Sequence, residues 1–149
     1  AIEEGKADII GLFLVTKLNE MGEFEDKDLM DNYVTFMASI FRSIRFGVTS
    51  AHGVANMVRF NYFKDAEAFT RSEENGTYRV NFEKMQKAMN DLGGLILEMQ
   101  GEGDYEGAQI LIEENGGIGD MLQNDLDRIT EAGIPVDIRF NQGPEVLGL

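Results

Sequence analysis

The sequence predicts a mostly α fold: an irregular multi-helix domain with one small β-hairpin and an extended C-terminal segment. Three observations predict it. Apolar residues recur three and four positions apart in six separate runs. Most of these runs follow a residue that caps helices, and glycines follow several of them. Only two stretches, around Ser72–Gly76 and Ile134–Ile138, break the helical pattern.

In chain order, Ile2 to Glu20 carries Ile9, Ile10, Phe13, Leu14 and Leu18 at helical spacing, and Gly22 is its stop. Asp26 can cap a second helix to about Phe46, whose apolar face is Leu29, Tyr33, Phe36, Met37, Ile40, Phe41 and Ile44, with Gly47 ending it. Thr49 or Ser50 can cap a third, running through Lys64 with His52, Met57, Phe60 and Phe63. That helix is apolar enough to be buried on more than one side. Residues 68–71 and 77–80 flank a loop containing Gly76 and read as a hairpin. Asn81 caps a helix from Phe82 to about Met99, broken by Gly101 to Gly103. Asp104 caps a shorter one to Glu114, and a last helix covers about Asp120 to Glu131. Pro135 cannot continue a helix, so Ile134 to Ile138 is extended, and the tail beyond Gln142 is expected to be loose. No repeat or linker divides the chain, so residues 1–149 are read as one domain.

Composition narrows the function. A chain of 149 residues, 43% hydrophobic, can bury a core. A net charge of -14 argues against nucleic-acid and anionic-membrane partners, which call for clustered Lys and Arg. There is no cysteine, hence no disulfide and no thiolate metal site, which fits a reducing, cytoplasmic setting. No apolar run reaches the ~18 residues of a membrane-spanning helix.

Two places could carry chemistry. In Glu3-Glu4-Gly5-Lys6-Ala7-Asp8, Glu4 and Asp8 lie four apart and share a helix face. One carboxylate can bind a metal while the next holds a neighbouring ligand. The same residues also make an ordinary acidic helix start, favoured by the helix dipole. His52, the single histidine, stands in the first turns of the third helix. It is either structural or a hydrogen-bond donor to a substrate carbonyl or developing oxyanion. Gly53 beside it costs a helix about 1 kcal/mol relative to Ala, which makes sense where something must approach the backbone closely. The eight methionines lie on inward faces and read as core filler. Gly101-Glu102-Gly103-Asp104 has neither the Gly-Lys-Ser/Thr of a phosphate loop nor the alternating ligands of an EF-hand.

Glu3 to Asp8, followed by Ile9-Ile10-Gly11-Leu12, resembles the Glu-Glu-x-Arg/Lys-Ala-Asp/Glu motif of the dipeptidyl peptidase III family of zinc metallopeptidases. The likeness continues through residues 41–47, Ala51-His52-Gly53, residues 76–82, residues 99–104 and Ile134 to Ile138. The nearest subgroup is the peptidase-like proteins in which this region can be joined to a Nudix hydrolase domain. The resemblance implies that Glu4 is the carboxylate zinc ligand, completing two histidines of an upstream HExxGH helix. It implies that Asp8 orients a ligand histidine, that Glu3 lies beside the site, and that His52 and Asn56 face the peptide substrate, with His52 in contact near the scissile bond. Asn56 stands where several family members carry Arg, and the basic pair that some place near the chain end is not evident around Ile134-Pro135.

The expectation is therefore a carboxy-terminal fragment of a zinc peptidase, inactive alone because both histidine ligands and the general base lie upstream. The alternative is a helical interaction or accessory module that keeps the scaffold without the chemistry, including one attached to a Nudix hydrolase.

Overall fold

The structure, a computed structural model, describes residues 1–24, 28–138 and 140–149. Among them are seven helices and one antiparallel hairpin: α1 (Ile2–Glu20), α2 (Leu29–Ile44), α3 (Ala51–Asp65), β1 (Phe69–Arg71), β2 (Tyr78–Val80), α4 (Phe82–Glu102), α5 (Tyr105–Asn115), α6 (Asp120–Glu131) and α7 (Pro144–Leu147). The mostly helical class and the hairpin are as the sequence predicts.

Side-chain caps set the helix starts. Ser50 Oγ accepts from the Gly53 amide at 3.1 Å, Asn81 Oδ1 from Lys84 at 3.1 Å, and Asp104 Oδ1 from Gly107 at 2.8 Å. Each satisfies an amide that has no partner inside its helix. For α2 the cap is Asp28, which accepts from the Met30 amide at 2.9 Å. Asp26, the expected cap, lies outside the described residues. Helix α4 runs three residues past Met99, through Gly101, and stops at Gly103, which adopts a left-handed φ of 69°. Glycine reaches that conformation without a Cβ clash.

Helix α3 is the central element, packed against α1, α2, α4 and α5. Its stretch Ala55 to Phe60 is buried without interruption, which explains why its sequence shows no clean polar face. Tyr33, Phe60, Phe63, Met57, Met85, Met89, Leu92 and Ile96 form the fully buried centre. Five methionines (Met37, Met57, Met85, Met89 and Met99) serve as core filler, whereas Met21 and Met121 are exposed. Helix α1 buries Gly5, Ile9, Leu12 and Thr16, a narrower stripe than its apolar residues suggest, and leaves Leu14 and Leu18 exposed. Thr16 makes the stripe usable by donating to the Leu12 carbonyl at 2.9 Å and meeting Tyr33 Oη at 3.0 Å.

The hairpin pairs Phe69 with Val80 and Arg71 with Tyr78. Phe69 and Tyr78 join Phe41 and Phe60 in an aromatic cluster with centroids 4.7 to 6.4 Å apart. On the hairpin's other flank the buried Asp125 of α6 accepts from Arg71 Nε and Nη2 at 2.6 and 2.7 Å, from Tyr78 Oη at 2.6 Å and from Arg128 Nη1 at 2.9 Å. The Arg71 guanidinium and the Tyr78 phenol thus hold α6 to the hairpin, and Arg128 of α6 adds a bond from Nη2 to the Asn75 carbonyl at 3.3 Å.

The extended end is anchored as well. Arg45 donates to the carbonyls of Ile134 and Pro135 at 2.6 and 3.1 Å, and Arg42 pairs with Asp137 at 3.2 Å. Residues 144–147 form one exposed helical turn where the sequence predicts a loose tail. No helix among the described residues is long and apolar enough to cross a membrane.

Candidate functional site

The first turns of α1 and α3 meet at a cleft of about 480 Å³, lined by Glu4, Asp8, His52, Gly53, Asn56 and Arg59 together with residues from the far half of α2. Helix α1 presents Glu4 and Asp8 toward it because Gly5, Ile9 and Leu12 seat the neighbouring face in the core. Helix α3 presents His52 because Ser50 starts that helix two residues earlier.

His52 Nε2 lies 3.2 Å from Glu4 Oε2 across the cleft. The imidazole is 75% exposed and the Glu4 carboxylate 42% exposed, so both keep access to an incoming group. One turn further along α1, Asp8 forms an ion pair with Arg59, whose side chain is only 3% exposed. Arg59 Nη2 also donates to Asn56 Oδ1 at 2.5 Å, and Asn56 Nδ2 donates to the His52 carbonyl at 2.9 Å. The guanidinium carbon sits 5.6 Å from the centre of the Phe36 ring. Burial lowers the pKa of Arg59 below the ordinary arginine value, and the Asp8 charge opposes that shift.

Gly53 explains how the cleft closes on one side. A Cβ there would sit 2.4 Å from the Gly47 carbonyl oxygen and 2.6 Å from Val48 Cα. The close approach inferred from the sequence is made by the chain's own loop between α2 and α3, where Gly47 adopts a φ of 105°.

Of the residues singled out from the sequence, Glu4, Asp8, His52 and Asn56 come together here. Glu3 turns to another flank of α1, where it pairs with Lys6 at 2.7 Å and accepts from Gln100. The hydrogen bond from Lys6 lowers the Glu3 pKa below the usual carboxylate range. Sequence reasoning missed Arg59. Its signal was a single charge inside the apolar run Met57-Val58-Arg59-Phe60, seven residues after His52 and so on nearly the same helix face. A second hollow, about 680 Å³ between α1 and α2, adjoins the cleft through Asp8, Phe36 and Ser39 and is floored by Ala7, Gly11 and Val15.

The donor set tests the fit to a metal. A catalytic zinc site takes three protein ligands and one open position. Among the described residues no group of three or more His, Cys, Asp or Glu side chains could hold a metal ion. Glu4 fits as one oxygen donor, and the described residues alone do not complete a zinc site.

The fold is mostly helical and resembles one part of the dipeptidyl peptidase III proteins. No family profile matches the chain. It is related over nearly its whole length to one part of the dipeptidyl peptidase III proteins. It is 37% identical to the dipeptidyl peptidase III of Caldithrix abyssi, with a TM-score of 0.86 over 92% of this chain and 26% of that one. For the dipeptidyl-peptidase III of Corallococcus sp. strain EGB the values are 35%, 0.82, 93% and 25%. It is also 38% identical over 138 residues to Nudix hydrolase 3 of Arabidopsis thaliana, a match that covers 93% of this chain and 18% of that protein. The chain thus spans about a quarter or less of each relative's length, and the resemblance read from its motifs is borne out.

Proposed function

We propose that this chain forms part of a zinc-dependent peptidase, in which it supplies one metal ligand and one wall of the substrate cleft. The observation that carries the reading is the approach of Glu4 and His52 to 3.2 Å across the mouth of the cleft. Glu4 is the carboxylate donor, and Asp8 orients a histidine ligand supplied by residues outside these 149. His52 donates from its ring to the substrate carbonyl or the oxyanion that develops from it, and Asn56 fixes the His52 turn. Zinc, when bound, would activate water for peptide hydrolysis. The hollow between α1 and α2 offers room beside Asp8 for the polypeptide that carries the remaining ligands.

The match to Nudix hydrolase 3 favours a second reading, a helical accessory module attached to a Nudix hydrolase that performs the chemistry elsewhere. Two experiments separate the readings. Zinc titration of the 149-residue chain should show at most weak carboxylate binding. A tight 1:1 site with peptidase activity in that chain would overturn the shared-site reading. In the longer protein containing this segment, Glu4→Ala should strip zinc and activity together. Retention of stoichiometric zinc by that variant would support the accessory reading instead.

A further inference from the structure

Arg59 is the buried cation among the described residues, and stability alone does not account for it. Burying a guanidinium carries a large desolvation cost, which pairing offsets only when every donor is satisfied. Here Nη1 meets Asp8 and Nη2 meets Asn56, but the buried Nε has no hydrogen-bond partner among the described residues. The Asp8 side chain is itself 54% exposed, so solvent weakens the pair. An apolar side chain of similar length would fill the same space against Phe36 without stranding a donor.

What such a side chain could not do is hold two groups at once. The guanidinium fork grips Asp8 on α1, one turn beyond Glu4. It also grips Asn56 on α3, and Asn56 in turn holds the carbonyl of His52. Arg59, Asn56 and His52 all lie on α3, so the Asp8–Arg59 pair is the link between the two helices, and the two bonds within α3 carry it back to the His52 turn.

We infer that Arg59 is a positioning residue, a buried strut that sets the separation between the carboxylate face of α1 and the His52 turn of α3. Lysine cannot replace it, because an ammonium is a single point charge without the planar fork that reaches both partners. The purpose of the strut rests on the peptidase reading above, while its geometry does not.

The test follows the Asn56 side-chain amide and the His52 ring by NMR in the labelled 149-residue chain and in Arg59→Lys. Arg59→Lys removes the donor to Asn56 Oδ1. With that side chain released, its Nδ2 bond to the His52 carbonyl should open more often. Exchange of the Asn56 side-chain amide protons should therefore speed by about tenfold, the scale of one hydrogen bond, and the His52 ring resonances should move while the helices persist. A lower melting temperature with both signals unmoved would show a merely structural role and overturn the inference. Should Arg59→Lys fail to fold, Asp8→Asn decides from the exposed end of the strut. The same two changes support the inference, and unmoved signals overturn it. Neither readout needs metal or activity, so a failure of the peptidase reading stays distinguishable. In a longer, active protein Arg59→Lys should lower kcat more than it raises KM.

Discussion

Glu4 and His52, 48 positions apart in the chain, stand 3.2 Å from each other at the mouth of one cleft. Contacts distant in sequence bring them together. Gly5 and Ile9 seat α1 in the core behind Glu4, and the loop pressed against Gly53 fixes where α3 begins.

His52 and Asp8 should fail in different ways. On the proposed peptidase reading, in a longer protein that carries this segment and binds zinc, His52→Gln should keep the metal and lose about 10²- to 10³-fold in kcat, the usual scale for removing one donor to a developing oxyanion. Asp8→Asn should weaken zinc binding by about 10- to 100-fold, the usual cost of losing a group that orients a ligand. Metal analysis beside steady-state kinetics checks both.

Two glycine-to-alanine substitutions should have opposite signs. At Gly53 the new Cβ meets backbone atoms at 2.4 and 2.6 Å, and backbone cannot swing away as a side chain can. Gly53→Ala should cost about 2 kcal/mol or more, as overpacking does. At Gly94, on the exposed side of α4, an added Cβ would meet no described residue beyond its own helix backbone and chain neighbours within 4 Å. Gly94→Ala should stabilise by about 0.5 to 1 kcal/mol through helix propensity and a less flexible unfolded chain. Urea unfolding midpoints measure both.

Acid should unlock the hairpin from α6. Arg71 first, then Tyr78 and Arg128, hold the Asp125 carboxyl at about 2 against an ordinary 3.8, although burial opposes them. A carboxylate with a lowered folded pKa contributes stability that is fully present above its unfolded pKa and is lost as pH falls through the folded one. That contribution, about 2 kcal/mol, should disappear between pH near 4 and pH near 2. Asp125→Asn should be destabilised by a similar amount at neutral pH and should show a correspondingly shallower acid limb in its stability profile.

Arg45 should hold down the extended end. Its two bonds to the carbonyls of Ile134 and Pro135 join α2 to a segment whose apolar side chains are largely exposed. Arg45→Met should raise the rate of limited proteolysis between residues 134 and 138 by about tenfold, the worth of roughly one hydrogen bond, while cleavage elsewhere stays unchanged. A cleavage pattern identical to that of the unsubstituted chain would show that the segment is held by other contacts.

Much of this architecture is local chemistry. Ser50, Asn81 and Asp104 each accept from an amide three residues on, so these helix starts follow from spacing in the chain. The hairpin came from two short runs around Gly76, whose φ of 67° suits glycine. Leu14 and Leu18 mislead for a physical reason: apolar periodicity marks a possible inner face, but the width of the face that is covered depends on which helices arrive against it. Arg59 escaped notice because a charge within an apolar run reads as an exposed side chain until its partner, Asp8 on another helix, is known.

The sequence by itself determined the helical class, the capped boundaries and the family resemblance, and it placed Glu4 and Asp8 on one face, because these depend on residues within a few positions of each other. Tertiary structure alone decided that Glu4 faces His52, that Arg59 joins Asp8 to Asn56, that Glu3 turns away toward Gln100, and that Arg45 holds the extended end. Each of those contacts spans 40 or more positions or hangs on one that does, and only the packing of α3 against its neighbours brings such residues within hydrogen-bonding reach.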